Sequence, residues 1–208
     1  MIPRVYLAGP DVFLPDPHGW AARRRAICLA HGLEGVSPLD PLPDEPADWA
    51  ALAEWRRIAL RNEAHLRRCD AVIANLTPFR GPSADVGTVY EIGFARALGR
   101  RVFAYANVVT KFAARTMEHA ATHGGVIGSA GQVWRDADGM LVEDFELFDN
   151  LMIEAAIAES GGALVLDASE PEQRWTDLAA FERCVALAAK ELQGPPSLQG
   201  PPRAEQET

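Results

Sequence analysis

CDAVIANLTPFRGPSADVGTVYEIGFARALGRRV, residues 69–102, decides the fold. Asp70 opens the run Ala71-Val-Ile-Ala-Asn75, which is too uniformly apolar to show one face to water and reads as a buried strand. The loop 76–84 follows. Residues 87–98 then take helical spacing until Gly99 stops them, and Arg101 to Tyr105 reads as another strand. A strand, a helix and a second strand in so short a span form a βαβ unit, which implies a parallel sheet with covered faces.

The same alternation extends outward. Val5 to Ala8 is a short strand ending at Gly9-Pro10. Trp20 to His31 reads as a helix with Arg23, Arg24 and Arg25 partly outward, ended by Gly32. Gly35-Val36 is a weak strand, and Trp49 to Arg68 has helical spacing through Leu52, Trp55, Ile58, Asn62 and Leu66. Beyond residue 106 the pattern fades, and 107–144 is glycine-rich with weak periodicity. Asp149 reads as the N-cap of a helix through Ser160, Leu164 to Leu166 as a last strand, and Arg174 to Leu192 as a last helix. The expectation is a single α/β domain over 1–192, a doubly wound, flavodoxin- or Rossmann-like, mostly parallel five-stranded sheet with helices on both faces. Residues 193–208, QGPPSLQGPPRAEQET, repeat GPP with almost no apolar content and read as a disordered tail.

Composition narrows the function. A chain of 208 residues with 48% hydrophobic and 24% charged side chains has enough apolar surface for a core without staples. A net charge of −9 argues against nucleic-acid polymers and anionic membranes, both of which need a basic surface. No apolar stretch approaches the roughly 18 residues of a membrane span, and the N-terminus shows no signal-peptide pattern. Cys28, Cys69 and Cys184 are odd in number and lack a CxxC pair, so buried free thiols in a reducing cytoplasm are expected. The five histidines form no HxH or HExxH pattern and read as surface or structural residues. The glycines of 124–131 match neither dinucleotide nor P-loop forms, so no metal or cofactor is expected. The tryptophans read as core or interface residues.

Parallel sheets bind ligands beyond the carboxyl ends of their strands. At those ends the chain places Gly9, Pro10, Asp11 and Phe13 after the first strand. Asn75, Thr77, Phe79, Arg80 and Asp85 follow the strand 71–75. Glu91 stands six residues past Asp85, so the pair can line one pocket. A carboxylate near a helix N-terminus is held ionised by the free N–H groups, as a nucleophile for an anomeric carbon requires. The spacing is equally that of a helix cap followed by an ordinary helical acid.

Three motifs in order, YLAGPDVF (6–13), the stretch 69–102 and EDFELFDNLMI (143–153), resemble the nucleoside 2-deoxyribosyltransferase family over roughly residues 4 to 155. The resemblance implies that Glu91 attacks C1′ of a 2′-deoxyribonucleoside and that Tyr6 orients it. It further implies that Asp85 holds the sugar 5′-hydroxyl and that Phe13 packs at the base. Asn150, with Met152 beside it, is implied to reach the sugar of a neighbouring subunit, which makes the protein a homo-oligomer with shared sites. Asn62 stands where some members carry an acid near the base. The FRGP loop with Arg80 is similar to the longer form found in part of the family. Expected partners are small deoxyribonucleosides and free nucleobases, exchanged with retention. Two alternatives stay open: a hydrolase of deoxyribonucleoside 5′-monophosphates, against which the Asp85 charge argues, and a non-catalytic nucleoside-binding module.

Overall fold

The strand Ala71–Asn75 (β3) is buried at every position, as its unbroken apolar run requires. A computed structural model describes residues 1–128 and 133–194. Around β3 stand β1 (Arg4–Ala8), β2 (Glu34–Val36), β4 (Arg101–Ala106) and β7 (Leu164–Leu166) in the order β2-β1-β3-β4-β7. Every pairing in this sheet is parallel. This is the flavodoxin-type order, which reverses direction between β1 and β3 and leaves a crevice at their carboxyl ends. An antiparallel pair, β5 (Val126–Gly128) with β6 (Trp134–Asp136), lies outside the main sheet.

Side chains alternate across the sheet, so neighbours on one strand enter different cores. Tyr6, Val72 and Ala104 pack with Leu66 of α2 (Glu54–Arg68), Ile92 of α3 (Val86–Ala97) and Ile153 of α5 (Leu151–Glu159). Val5, Ile73, Phe103 and Tyr105 pack with Cys28 of α1 (Pro17–Ala30) and with Phe181 and Cys184 of α6 (Ala179–Gln193). Helices therefore cover both faces, and the doubly wound five-stranded expectation holds.

Several elements differ from the sequence reading. The span 49–68 is not one helix. A 3-10 turn, Ala47–Ala51, precedes α2, and Leu52 and Ala53 are extended between them. The last helix starts at Ala179 rather than Arg174. The unreadable stretch holds α4 (Phe112–Thr122). Arg24 is buried, not outward, because its guanidinium bonds Asp11 at 2.5 Å. No tryptophan reaches the core: Trp55 and Trp134 are exposed, and Trp20, Trp49 and Trp175 are half-buried.

The cysteines are free and buried. Burial pushes the Cys28 and Cys69 thiols up to about 12 and raises Cys184 as well. Asp70 is structural, its carboxylate accepting the Arg4 N–H at 2.8 Å. Among the described residues no helix is long and apolar enough to cross a membrane. Gln193, first residue of the expected tail, is the last of α6, and its amide donates to the carbonyls of His31 and Gly32 at 3.1 and 3.0 Å. The rest of that tail from 195 onward lies outside the described residues.

Candidate active site

The centre of the site is built from three elements on one face of the sheet. β1 supplies Tyr6, whose inward register buries the whole side chain. Its hydroxyl donates to Glu91 Oε1 at 2.6 Å. α3 supplies Glu91 from its second turn, only 9% exposed. α2 supplies Asn62, whose Nδ2 donates to the same oxygen at 3.3 Å. Both donors converge on Oε1, and no described residue bonds Oε2. The carboxylate is gripped by one oxygen and presents the other.

Its protonation differs from the sequence expectation. Glu91 is not simply held ionised by the helix N-terminus. Burial pushes its carboxyl up to about 7; the Tyr6 hydroxyl pulls it down, the Asp85 charge pushes it up, and Asn62 pulls it down. Desolvation dominates because the group is buried and sits a turn past the free N–H groups of the helix start. Tyr6 is in turn held well above the usual tyrosine range, first by burial and then by the neighbouring carboxylate.

Asp85 is the N-cap of α3, accepting from the Thr88 N–H at 2.9 Å and its hydroxyl at 3.1 Å. The capping reading is thus realised, and the Asp85 charge is close enough to act on Glu91.

Phe13 and Arg80 form a second group at the carboxyl ends of β1 and β3. Phe13 is 58% exposed and stacks on Phe79 with ring centres 5.5 Å apart. The Arg80 guanidinium lies 5.1 Å from the centre of the Phe13 ring and 4.5 Å from that of Phe79. Trp175 meets Phe79 edge-on at 5.9 Å.

Asn150 and Met152 form a third group, on α5. Asn150, not Asp149, is the N-cap, accepting from the Met152 N–H at 3.0 Å and donating to Glu143 at 2.7 Å. Both residues line a groove of about 630 Å³ between α3 and α5, and Met152 is 70% exposed. Neither bonds Glu91, Tyr6 or Asn62.

Two polar groups take roles that the sequence reading did not assign them. Asp149 is fully buried and accepts from the Ser83 hydroxyl at 2.5 Å and the Ala84 N–H at 3.1 Å. It lies 3.5 Å from Arg115 and ties the loop ahead of Asp85 to the start of α5. Asp11 accepts from Arg24 at 2.5 Å and from Asn75 Nδ2 at 3.0 Å, joining the ends of β1 and β3 to α1. The strand-end position of Asp11 was legible. Which of three consecutive arginines turns inward to meet it was not. Gly9 lets this junction close, since a Cβ there would stand 2.8 Å from the Asn75 Cβ. Among the described residues, no three His, Cys, Asp or Glu side chains gather as a metal site.

The sheet order makes the chain a doubly wound α/β protein, a frame that binds its ligands beyond the carboxyl ends of the strands. It belongs to the nucleoside 2-deoxyribosyltransferase family, whose model matches residues 5–152. An uncharacterized protein of Schizosaccharomyces pombe is 32% identical over 191 residues, 86% of this chain and 90% of that one. A solved 2-desoxiribosyltransferase from Leishmania mexicana is similar in structure, with a TM-score of 0.53 and 29% identity. That likeness covers 76% of this chain and 95% of the Leishmania chain. The activity is thus of the nucleoside deoxyribosyltransferase or N-glycosidase type, on small nucleoside substrates.

Proposed function

We propose that the protein transfers the 2-deoxyribosyl group of a 2′-deoxyribonucleoside to another purine or pyrimidine base, with retention, through a deoxyribosyl ester on Glu91. The observation that carries this reading is the Tyr6–Glu91 bond of 2.6 Å, which anchors Oε1 of a buried carboxylate and leaves Oε2 unbonded. In the first step Oε2 bonds to C1′, the glycosidic C–N bond breaks and its electron pair leaves with the base, which takes up a proton. In the second step the nitrogen of an incoming base bonds to C1′ from the face just vacated, the ester breaks and that base loses a proton. Two inversions give net retention. The missing 2′-hydroxyl of the sugar eases the oxocarbenium-like transition state, and the carboxylate beneath C1′ stabilises its charge. Water in place of the second base gives hydrolysis as a side reaction.

Asp85 serves the 5′-hydroxyl in this reading, Phe13 and Arg80 flank the base, and Asn62 stands between base and nucleophile. Asn150 and Met152 serve the pocket of a neighbouring subunit, which makes the working form a homo-oligomer. The apolar groove they line and the 85% exposure of Val86 beside it support that assembly. The buried free thiols support a cytoplasmic setting.

Incubation with deoxyinosine and adenine tests the reading: deoxyadenosine should accumulate. A 2-fluoro-2-deoxy nucleoside should leave one sugar mass on a peptide containing Glu91. Faster cleavage of a deoxynucleoside 5′-monophosphate than any base exchange would replace the transferase with a hydrolase.

A further inference from the structure

A groove of about 510 Å³ runs beside the aromatic shelf, between the loop 78–82, residues 108 and 110, and α4. Arg80 and Arg174 both line it. Neither guanidinium has a carboxylate partner among the described residues, although the chain carries a net charge of −9. Each is laid on an aromatic ring instead. Arg80 covers Phe13 and Phe79, and Arg174 stands 5.6 Å from the centre of the Trp175 ring. Stacking fixes a guanidinium plane while leaving its N–H fork free to donate.

The backbone adds a separate observation. Arg80 has φ of 55°, in the left-handed region that a side-chain-bearing residue enters only at a cost. Glycine, which enters it freely, stands one position later at Gly81. The strain falls on the residue whose side chain covers the shelf and lines the groove.

The rest of the wall is structural. Arg115 spends its donors on the carbonyls of Pro82, Thr110 and Phe148, holding the loop against α4. His119 faces the groove beside His123, and Glu118 is its one lining carboxylate, outnumbered by the two unpaired arginines. Asp85 does not line it.

We propose that this groove is a binding site for a phosphate dianion, carried either by a phosphomonoester such as a deoxynucleoside 5′-monophosphate or by inorganic phosphate, with Arg80 and Arg174 as its two donors. Two forked guanidiniums match the paired oxygens of a phosphate, and a dianion neutralises both. The groove adjoins the aromatic shelf through Arg80, so a nucleotide held there by its phosphate can lay its base on the shelf, in a pose apart from the proposed reactive one with its 5′ end at Asp85. The binding claim itself does not depend on transfer activity.

Calorimetric titration of the intact protein with deoxyadenosine 5′-monophosphate, inorganic phosphate and deoxyadenosine tests it. At least one phosphate-bearing ligand should bind, more weakly as salt rises. Arg174→Gln and Arg80→Gln should each weaken that binding about tenfold, and Arg174→Lys should recover part of the loss. Arg174→Gln should leave the thermal midpoint and deoxyinosine–adenine exchange unchanged. Tighter binding of the monophosphate than of both phosphate and deoxyadenosine assigns the site to nucleotides; equal binding of the two phosphate ligands assigns it to the free ion. Binding of neither phosphate ligand, or binding that both Gln variants leave intact, overturns the proposal. Loss of exchange activity with phosphate binding retained would instead strike the transferase reading alone.

Discussion

In the proposed reaction Glu91 meets two demands that oppose each other. Burial removes water from the carboxylate and raises its proton affinity, while attack on C1′ needs the ionised form. With the carboxyl near 7, kcat/KM for the nucleoside should fall on the acid side with an apparent value in that region. The Tyr6 hydroxyl favours the ionised form, so Tyr6→Phe should move this acid limb to higher pH as well as lower the rate. A limb that stays in place would show that another group controls it.

The same shift sets a stability trend. Folded Glu91 binds its proton more tightly than the unfolded chain does, so its ionisation destabilises the fold. Stability should drop as pH rises from about 4.5 to about 7 and then level off. Glu91→Gln keeps an acceptor for Tyr6 and removes the charge. It should be inactive yet more stable than the parent at pH 8, by on the order of 3 kcal/mol, with little difference at pH 4.5. Urea unfolding at the two pH values measures this. Equal stability at both would mean that the carboxylate is better solvated than its burial implies.

At the scale of elements, the site depends on how α3 and α5 begin. α3 starts on the Asp85 cap and α5 on the Asn150 cap, and Asp149 bonds the loop before the one to the start of the other. Asp149→Ala removes the acceptor of a hydroxyl and an N–H and leaves Arg115 without its buried anion. Breaking such a pair should cost about 3 kcal/mol in urea unfolding. It should also loosen the loop 83–85, so the KM for deoxyinosine should rise. Asp149→Asn retains an acceptor and should recover part of the stability, which separates lost hydrogen bonds from lost charge.

At the scale of the molecule, the residues of the proposed site fall into separate groups. Glu91, Tyr6 and Asn62 are bonded together, whereas Asn150 and Met152 lie on the α3/α5 groove and touch none of them. In a homo-oligomer of shared sites, Glu91→Ala and Asn150→Ala should each be inactive. Mixed and allowed to exchange subunits, they should regain a fraction of parental activity, because some interfaces then carry both native residues. Activity should also fall on dilution below the dissociation constant of the assembly. A fully active monomer in sedimentation, or no rescue after proven exchange, would place Asn150 outside its neighbour's pocket.

The sequence by itself determined the parallel sheet. An unbroken apolar run such as Ala71–Asn75 is stable only where both faces are covered, and the helix spacing after it leaves few other arrangements. It also singled out Asp85 and Glu91 as candidates, because a strand end and the helix after it are local features, while Tyr6 came only through the resemblance of its motif to the family. Elsewhere local signal was too weak. α4 lay hidden in residues whose periodicity does not stand out, since packing against neighbouring segments supplies much of a short helix's stability. Only tertiary structure decided which of Arg23, Arg24 and Arg25 turns inward, because that depends on Asp11 arriving from another element. Only it moved the α5 cap from Asp149 to its neighbour Asn150 and turned Asp149 to the Ser83 hydroxyl and the Ala84 N–H. The protonation of Glu91 was decided there too, since the helix start was legible in the chain and the burial that outweighs it comes from the packing of β1 and α2 against α3.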